Sequence, residues 1–242
     1  MADRESARKV ALVTGAGSGL GAATAGALIE AGYAVAALDV DPVRLSAFAD
    51  QPAVLSLACD ITDADAVEAA VTEVVARFGR IDVAVNCAGV DHTYWLEQLT
   101  LARFDQIIAI NLRGPFVVAK AVWPVMKQQG GGQIVNIAST AAVRVWPGAS
   151  AYIASKFGLL GMSRAMNLEG RPDGIRVMTV IPGGMDTNFF ERFREQNIPQ
   201  PDPGSLQSPA NVARTIVYGL SLPADSALQE LVITHPDEPG WP

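Results

Sequence analysis

The feature that most constrains this chain is a repeated alternation. From Lys9 onward, short β-rich apolar runs are separated by stretches of helical periodicity. Runs at 10–14, 34–39, 54–59, 81–86, 133–138, 176–181 and 230–234 read as strands, and helices begin near Leu20, Pro42, Thr62, Leu101, Ala149 and Pro209. The runs are mostly apolar throughout instead of alternating, as parallel strands covered on both faces should be. Strands joined through helices predict right-handed crossovers and a doubly wound α/β fold, a parallel seven-stranded sheet flanked by helices on both faces. Thr62-x-x-Asp65 resembles a capping box, and Ser208-Pro209 reads as an N-cap followed by proline at the first helical position. No linker, repeat or low-complexity block interrupts the pattern, so residues 1–242 read as a single domain.

Half of the residues are apolar, ample for a continuous core. The net charge of −7, with no basic cluster, argues against nucleic acid or an anionic membrane surface as partner. The first eight residues contain no apolar signal region, and no apolar run is expected to span a bilayer. Cys59 and Cys87 fall in or just after strands and read as reduced thiols of a cytoplasmic protein. His92 and His235 have no Cys or His at ligand spacing, so no metal site is expected.

Where the first strand turns into the first helix stands Thr14-Gly-Ala-Gly-Ser-Gly-Leu-Gly21. Gly15 permits the tight turn, Gly19 lets backbone approach a pyrophosphate, and Gly21 lets the helix pack close to the sheet. Phosphates would then meet the N–H groups of Ser18, Gly19, Leu20 and Gly21 at a helix N-terminus. No Gly-Lys-Ser/Thr follows, so this is not a P-loop, and Ala16 excludes a Ser18 nucleophile elbow. Asp39 ends the second strand, where a carboxylate accepts hydrogen bonds from ribose hydroxyls and repels a 2′-phosphate. Arg44 is the nearest cation and is expected to point away on its helix.

Farther along, Tyr152 and Lys156 stand at i and i+4, on one helical face. An ammonium beside a phenol favours its ionised form, so Tyr152 could pass a proton near neutral pH. Ser139 ends the fifth run, which places its hydroxyl at the carboxyl edge where open α/β sheets bind ligands. Taken singly, a Tyr–Lys pair of this spacing also describes an ordinary helix face.

Six features, Thr14-Gly-x-x-x-Gly-x-Gly21, Asn86-Cys-Ala-Gly89, Asn111, Ser139, Tyr152-x-x-x-Lys156 and Pro182-Gly-x-x-x-Thr187, follow in the order and spacing of the short-chain dehydrogenases/reductases, and the resemblance covers essentially the whole chain. The resemblance implies a Rossmann-like fold with Tyr152 as general acid/base and Ser139 orienting the substrate oxygen. It implies that Lys156 lowers the tyrosine pKa and holds the nicotinamide ribose, and that Asn111 anchors a water relay to that lysine. Asp60, beside Ile61, matches the acid that contacts the adenine amino group. Asn86, Ala88 and Gly89 would line the cofactor cleft with Pro182 and Gly183, and Thr187 would bind the carboxamide or a phosphate. Read from the residues alone, Asp60 is equally a helix cap, Asn86 a buried strand-end group and Asn111 a mid-helix passenger. The chain departs from the family in Cys87, where asparagine is familiar, and in a proline-rich end at 235–242 without the usual Asp-Gly-Gly.

The expected activity is NAD(H)-dependent interconversion of a secondary alcohol and a ketone, with a small-molecule substrate. The alternatives are a 3-oxoacyl-thioester reductase, against which Asp39 counts, and a non-catalytic dinucleotide-binding regulator, which would not need Ser139, Tyr152 and Lys156 together. Residues 182–207 hold four prolines and no clear strand, and read as a lid over the substrate. His92 and Arg144 are the obvious polar discriminators in loops otherwise lined by groups such as Trp95, Trp146 and Phe189, and each reads equally as a plain surface residue. Helices from Leu101 and around Tyr152 spread their apolar residues too widely for one core stripe, which reads as burial against another subunit or as a thick core, and the resemblance implies a homotetramer or at least a dimer. Trp241 is expected to pack on its own or a neighbouring subunit.

Overall fold

A computed structural model describes residues 8–196, 198 and 200–238 of the chain. Trp241 lies outside the described residues. Seven strands, β1 (Val10–Thr14), β2 (Ala34–Asp39), β3 (Val54–Ala58), β4 (Val83–Asn86), β5 (Gly132–Ile137), β6 (Ile175–Pro182) and β7 (Glu230–Ile233), form one sheet in the order β3-β2-β1-β4-β5-β6-β7. Every adjacent pair is parallel. The order reverses between β1 and β4, so a crevice opens between the loops that leave their carboxyl ends.

Alternate residues of each strand feed opposite cores. Val10 and Leu12 join Ala36, Leu38, Ala84 and Ile134 beneath the helices α2 (Ala64–Phe78), α4 (Gly114–Gln128) and α5 (Ser150–Glu169). Ala11 and Val13 join Val35, Val83, Val135 and Val180 beneath α1 (Gly19–Glu30) and α7 (Pro209–Ser221). The inner strands β1, β2 and β4 are buried at every position, whereas the edge strands β3 and β7 alternate with exposed residues. Burial on both faces is why the inner strands carry no alternation to read.

Several local expectations change. The helix expected from Pro42 is a short 3-10 helix, Pro42–Phe48, capped by Asp41. The cap of α2 is Asp63, whose Oδ1 accepts from Asp65 N and Ala66 N, and Thr62 instead donates its hydroxyl to Asp60 at 2.8 Å. Ser208 does cap α7, with Pro209 in its first turn. The helix from Leu101 is α3 (Leu101–Ile108), a π-turn at Ala109–Arg113 and then α4. A π-turn inserts backbone without changing the apolar pattern, so periodicity does not reveal it. The run Leu101–Gln128 is, by length and a mean hydropathy of 1.2, apolar enough to cross a membrane. Here Val118, Val122 and Met126 are fully buried in the core against the sheet.

Segment 182–207 is closed at its base. Met185 and Gln207 form a parallel bridge, and Gln207 donates its side-chain amide to Ile233 O at 2.8 Å. Within it lie a 3-10 turn (Asn188–Phe190) and the one-turn α6 (Glu191–Glu195).

Candidate active site

A cleft of about 1460 Å³ runs across the carboxyl ends of the strands. Its glycine turn is shaped by sterics. Gly15 has φ 65°, and a Cβ there would meet Ala88 Cα at 2.9 Å. A Cβ at Gly21 would overlap Gly15 O, so that position admits only glycine. The loop after β4 is held against this turn by Thr14, whose Oγ1 accepts from Cys87 N and Ala88 N, both at 3.2 Å.

Asp39 is 7% exposed and lines the cleft. Its Oδ2 accepts from Gly17 N and its Oδ1 from Asp41 N, both at 3.0 Å. Each oxygen keeps a second lone pair for a ligand hydroxyl. Gly17, quoted above only as part of the glycine run, is therefore what aims the carboxylate. A Cβ at Gly17 would meet Asp39 Oδ2 at 2.8 Å. Arg44 does not point away: it lines the cleft beside Asp39, and its Nε pairs with Asp41 at 3.3 Å. The reason is the 3-10 turn, which carries Arg44 back over the glycine loop. Asp60 and Ile61 line the same end, and Asp60 Oδ1 is held by Thr62 N at 2.9 Å.

At the other end Ser139, Tyr152 and Lys156 line one wall. Ser139 is extended and caps the 3-10 turn Thr140–Ala142, its Oγ accepting from Ala141 N at 3.1 Å. Its hydroxyl hydrogen can rotate towards a ligand. Lys156 Nζ donates to Ile137 O at 2.8 Å and lies 5.6 Å from the centre of the Tyr152 ring. Burial pushes the Lys156 ammonium down to about 8, with the Asp91 carboxylate acting in the opposite direction. Burial likewise pushes the Cys87 thiol up to about 12, so it stays neutral beside that lysine. Phe189 lies 6.0 Å from Tyr152, ring centre to ring centre, and roofs this end. Pro182, Gly183 and Thr187 complete the wall; the Thr187 Cβ would sit 3.5 Å from a Cβ placed on Gly19. Thr187 thus bridges the far loop to the glycine turn.

Two residues expected at the cleft are elsewhere. Asn86 is buried below it, donating its amide to Asn136 Oδ1 at 2.8 Å, while Cys87, Ala88 and Gly89 form the wall. Asn86 stands in register with Asn136, which donates to Ser163 Oγ of α5 at 2.8 Å, so its side chain lies on the α5 face of the sheet and the following loop lines the crevice. Asn111 is fully buried behind Gly89, where the π-turn presents it to the loop after β4. Its Oδ1 accepts from Val90 N at 2.8 Å, and its Nδ2 donates to Val90 O at 2.7 Å and to Ser155 Oγ at 3.1 Å. Ser155 in turn donates to Tyr152 O at 2.7 Å. A carboxamide so committed fastens the loop to the Tyr152 helix, with both amide hydrogens used and one lone pair of Oδ1 left over. Thr14 was legible as a motif letter and Ser155 fell among the unspecified positions of Tyr152-x-x-x-Lys156, and nothing in the sequence marked the bonds of either.

This cleft fits a dinucleotide. Glycines stand where a Cβ would close it, a buried carboxylate with spare lone pairs stands at one end, and a Tyr–Lys–Ser set stands at the other. Fold and site therefore define an oxidoreductase of the dinucleotide-binding type. The short chain dehydrogenase family matches residues 9–198, and the chain belongs to the short-chain dehydrogenases/reductases, enzymes acting on CH–OH groups. The D-threitol dehydrogenase of Mycolicibacterium smegmatis is 45% identical over 179 residues, 72% of this chain and 69% of that protein. The alcohol dehydrogenase of Thermococcus sibiricus, crystallised with 5-hydroxy-NADP, superposes with a TM-score of 0.86 at 30% identity, covering 97% of this chain and 100% of that one. The 3-ketoacyl-(acyl-carrier-protein) reductase of Brucella melitensis, crystallised with NADH, gives 0.83 at 30% identity, covering 93% and 96%.

Proposed function

We propose that this enzyme uses NAD(H) to interconvert a secondary alcohol and a ketone. The observation that carries the reading is the buried Asp39 carboxylate at the adenosine end, fixed on both oxygens while Tyr152 and Lys156 stand together at the far end. When bound, the nicotinamide accepts or supplies the hydride. Tyr152 gives or takes the proton at the substrate oxygen, and the Ser139 hydroxyl orients that oxygen. Lys156, held on Ile137 O and still mostly cationic at pH 7, favours the phenolate and holds the nicotinamide ribose. Asn111 acts as a positioning residue through Val90 and Ser155. Asp60 and Ile61 would contact the adenine, and Thr187 the carboxamide or a phosphate.

Asp39 favours NAD over NADP because a 2′-phosphate brings about two negative charges to a carboxylate. Arg44 offsets little of this, being 57% exposed in its side chain and paired with Asp41. We also infer a homotetramer, or at least a dimer. Phe104, Phe116, Phe157 and Leu168 remain exposed on α3, α4 and α5 after their neighbours fill the core. Segment 182–207 would act as the substrate lid.

The test is turnover of a panel of secondary alcohols and ketones, threitol among them, followed by NADH absorbance with NAD and NADP in parallel. Turnover confined to an acetoacetyl thioester with NADPH would replace this reading by the thioester reductase.

A further inference from the structure

Beyond β7 the chain doubles back over the cleft, and its Glu238 enters the wall that Ser139, Tyr152 and the loop after β6 share. Arg144 lies on that wall too, between the Ser139 turn and α5. Arg144 Nη2 donates to Glu238 Oε1, and Gly184 N donates to Glu238 Oε2 at 3.0 Å. The pair is mostly withdrawn from water, with side-chain exposures of 22% for Arg144 and 11% for Glu238. A Cβ at Gly183 would overlap the Glu238 carboxylate, so the turn after β6 leaves a slot that this side chain fills.

A part-buried guanidinium beside the reacting groups is ordinarily an anchor for a substrate carboxylate, because its fork matches that geometry. Here the chain supplies the carboxylate itself. A substrate anion would have to expel Glu238 and break both of its bonds, or lie beside it as a like charge in a poorly hydrated wall. A neutral alcohol or ketone meets neither cost, and the second lone pairs of Glu238 can accept from a substrate hydroxyl.

We propose that Glu238 determines substrate specificity: by occupying Arg144 from within, it makes the substrate end select uncharged, hydroxyl-bearing molecules and refuse carboxylates. This rests on the dehydrogenase reading, which places the substrate beside Ser139 and Tyr152.

The test uses the full-length protein loaded with NADH, whose binding is titrated first. Thermal shifts are then recorded against butane-2,3-diol and 3-hydroxybutanoate, which share a four-carbon chain and a secondary alcohol and differ in the carboxylate. In the wild type, 3-hydroxybutanoate should give no saturable shift. Glu238→Gln, which can still accept from Gly184 N, should bind it roughly tenfold tighter or more, and adding Arg144→Gln should abolish the gain. Where either probe is oxidised once NAD replaces NADH, the ratio of kcat/KM for the anion to that for the diol should rise by a similar factor. Glu238→Ala, checked by circular dichroism, repeats the measurement should the glutamine variant misfold. Equal anion binding by the wild type and both variants overturns the proposal while leaving the dehydrogenase standing. Absence of NADH binding and of all turnover would instead overturn the dehydrogenase reading, and this proposal with it.

Discussion

The two ends of the cleft are built in different ways. At the adenosine end the decisive contact, Gly17 N to Asp39, joins residues 22 apart within one strand–helix–strand unit. At the substrate end Arg144 meets Glu238 across 94 positions, and Gln196 exchanges two hydrogen bonds with Thr93 across 103. The first end is a local motif whose spacing is set by strand and helix lengths. The second is assembled from four segments that meet only when the sheet is complete. Such loops carry specificity and vary freely, because the scaffold beneath does not depend on them.

The sharpest way to break this contrast is to remove the one group that both ends serve. Tyr152→Phe should lower turnover about a thousandfold or more while NADH affinity changes by no more than about twofold, since it deletes a proton carrier and little cofactor contact. Steady-state rates and fluorescence titration check this. Retention of a substantial fraction of turnover, with chemistry still rate-limiting, would show that the proton travels by another group.

The next effect isolates the local end. Wild-type kcat/KM should favour NAD(H) over NADP(H) by about a hundredfold, and Asp39→Ser should cut that ratio mainly by admitting NADP(H). Comparable efficiency with both cofactors in the wild type would mean that Arg44, which lines the cleft, cancels the carboxylate.

A third test weighs function against stability at the junction of the two ends. The folded pKa of Lys156, about 8, lies below its unfolded value of 10.5, so the unfolded chain binds the extra proton between them. Fold stability should therefore rise as pH climbs from about 8 towards 10.5, the burial cost being fully present below that window. Lys156→Met should gain about 1–2 kcal/mol at pH 7, less than the bare shift implies because Ile137 O loses its donor, and the gain should shrink across the same window. Denaturant melts at pH 7 and pH 10 decide it. A gain independent of pH would show that the lysine is not held down by burial.

The smallest effect concerns the substrate end. Amide exchange within 185–206 should slow on adding cofactor and a substrate analogue, as the lid closes and excludes water. Gln196→Ala, which releases the two bonds to Thr93, should speed exchange there by a few fold and leave the glycine turn unchanged. Uniform protection in all states would remove the lid.

The sequence by itself determined the sheet, the glycine turn, Asp39 and the Ser139–Tyr152–Lys156 set. Each of these depends on period or spacing inside one element or one crossover, which covalent geometry transmits directly. Strands β1 and β2 span the same residues as the runs at 10–14 and 34–39, because burial on both faces keeps them apolar up to their polar last residues, Thr14 and Asp39. Tertiary structure alone decided the rest. It paired Asn86 with Asn136 on the α5 face of the sheet and made Asn111 a fastening for Val90, since neither the face of a strand's last residue nor a π-turn is marked in a linear pattern. It also brought Glu238 onto Arg144. A charge pair between distant loops is fixed by the direction in which each loop leaves the sheet, and no periodicity in the chain encodes that direction.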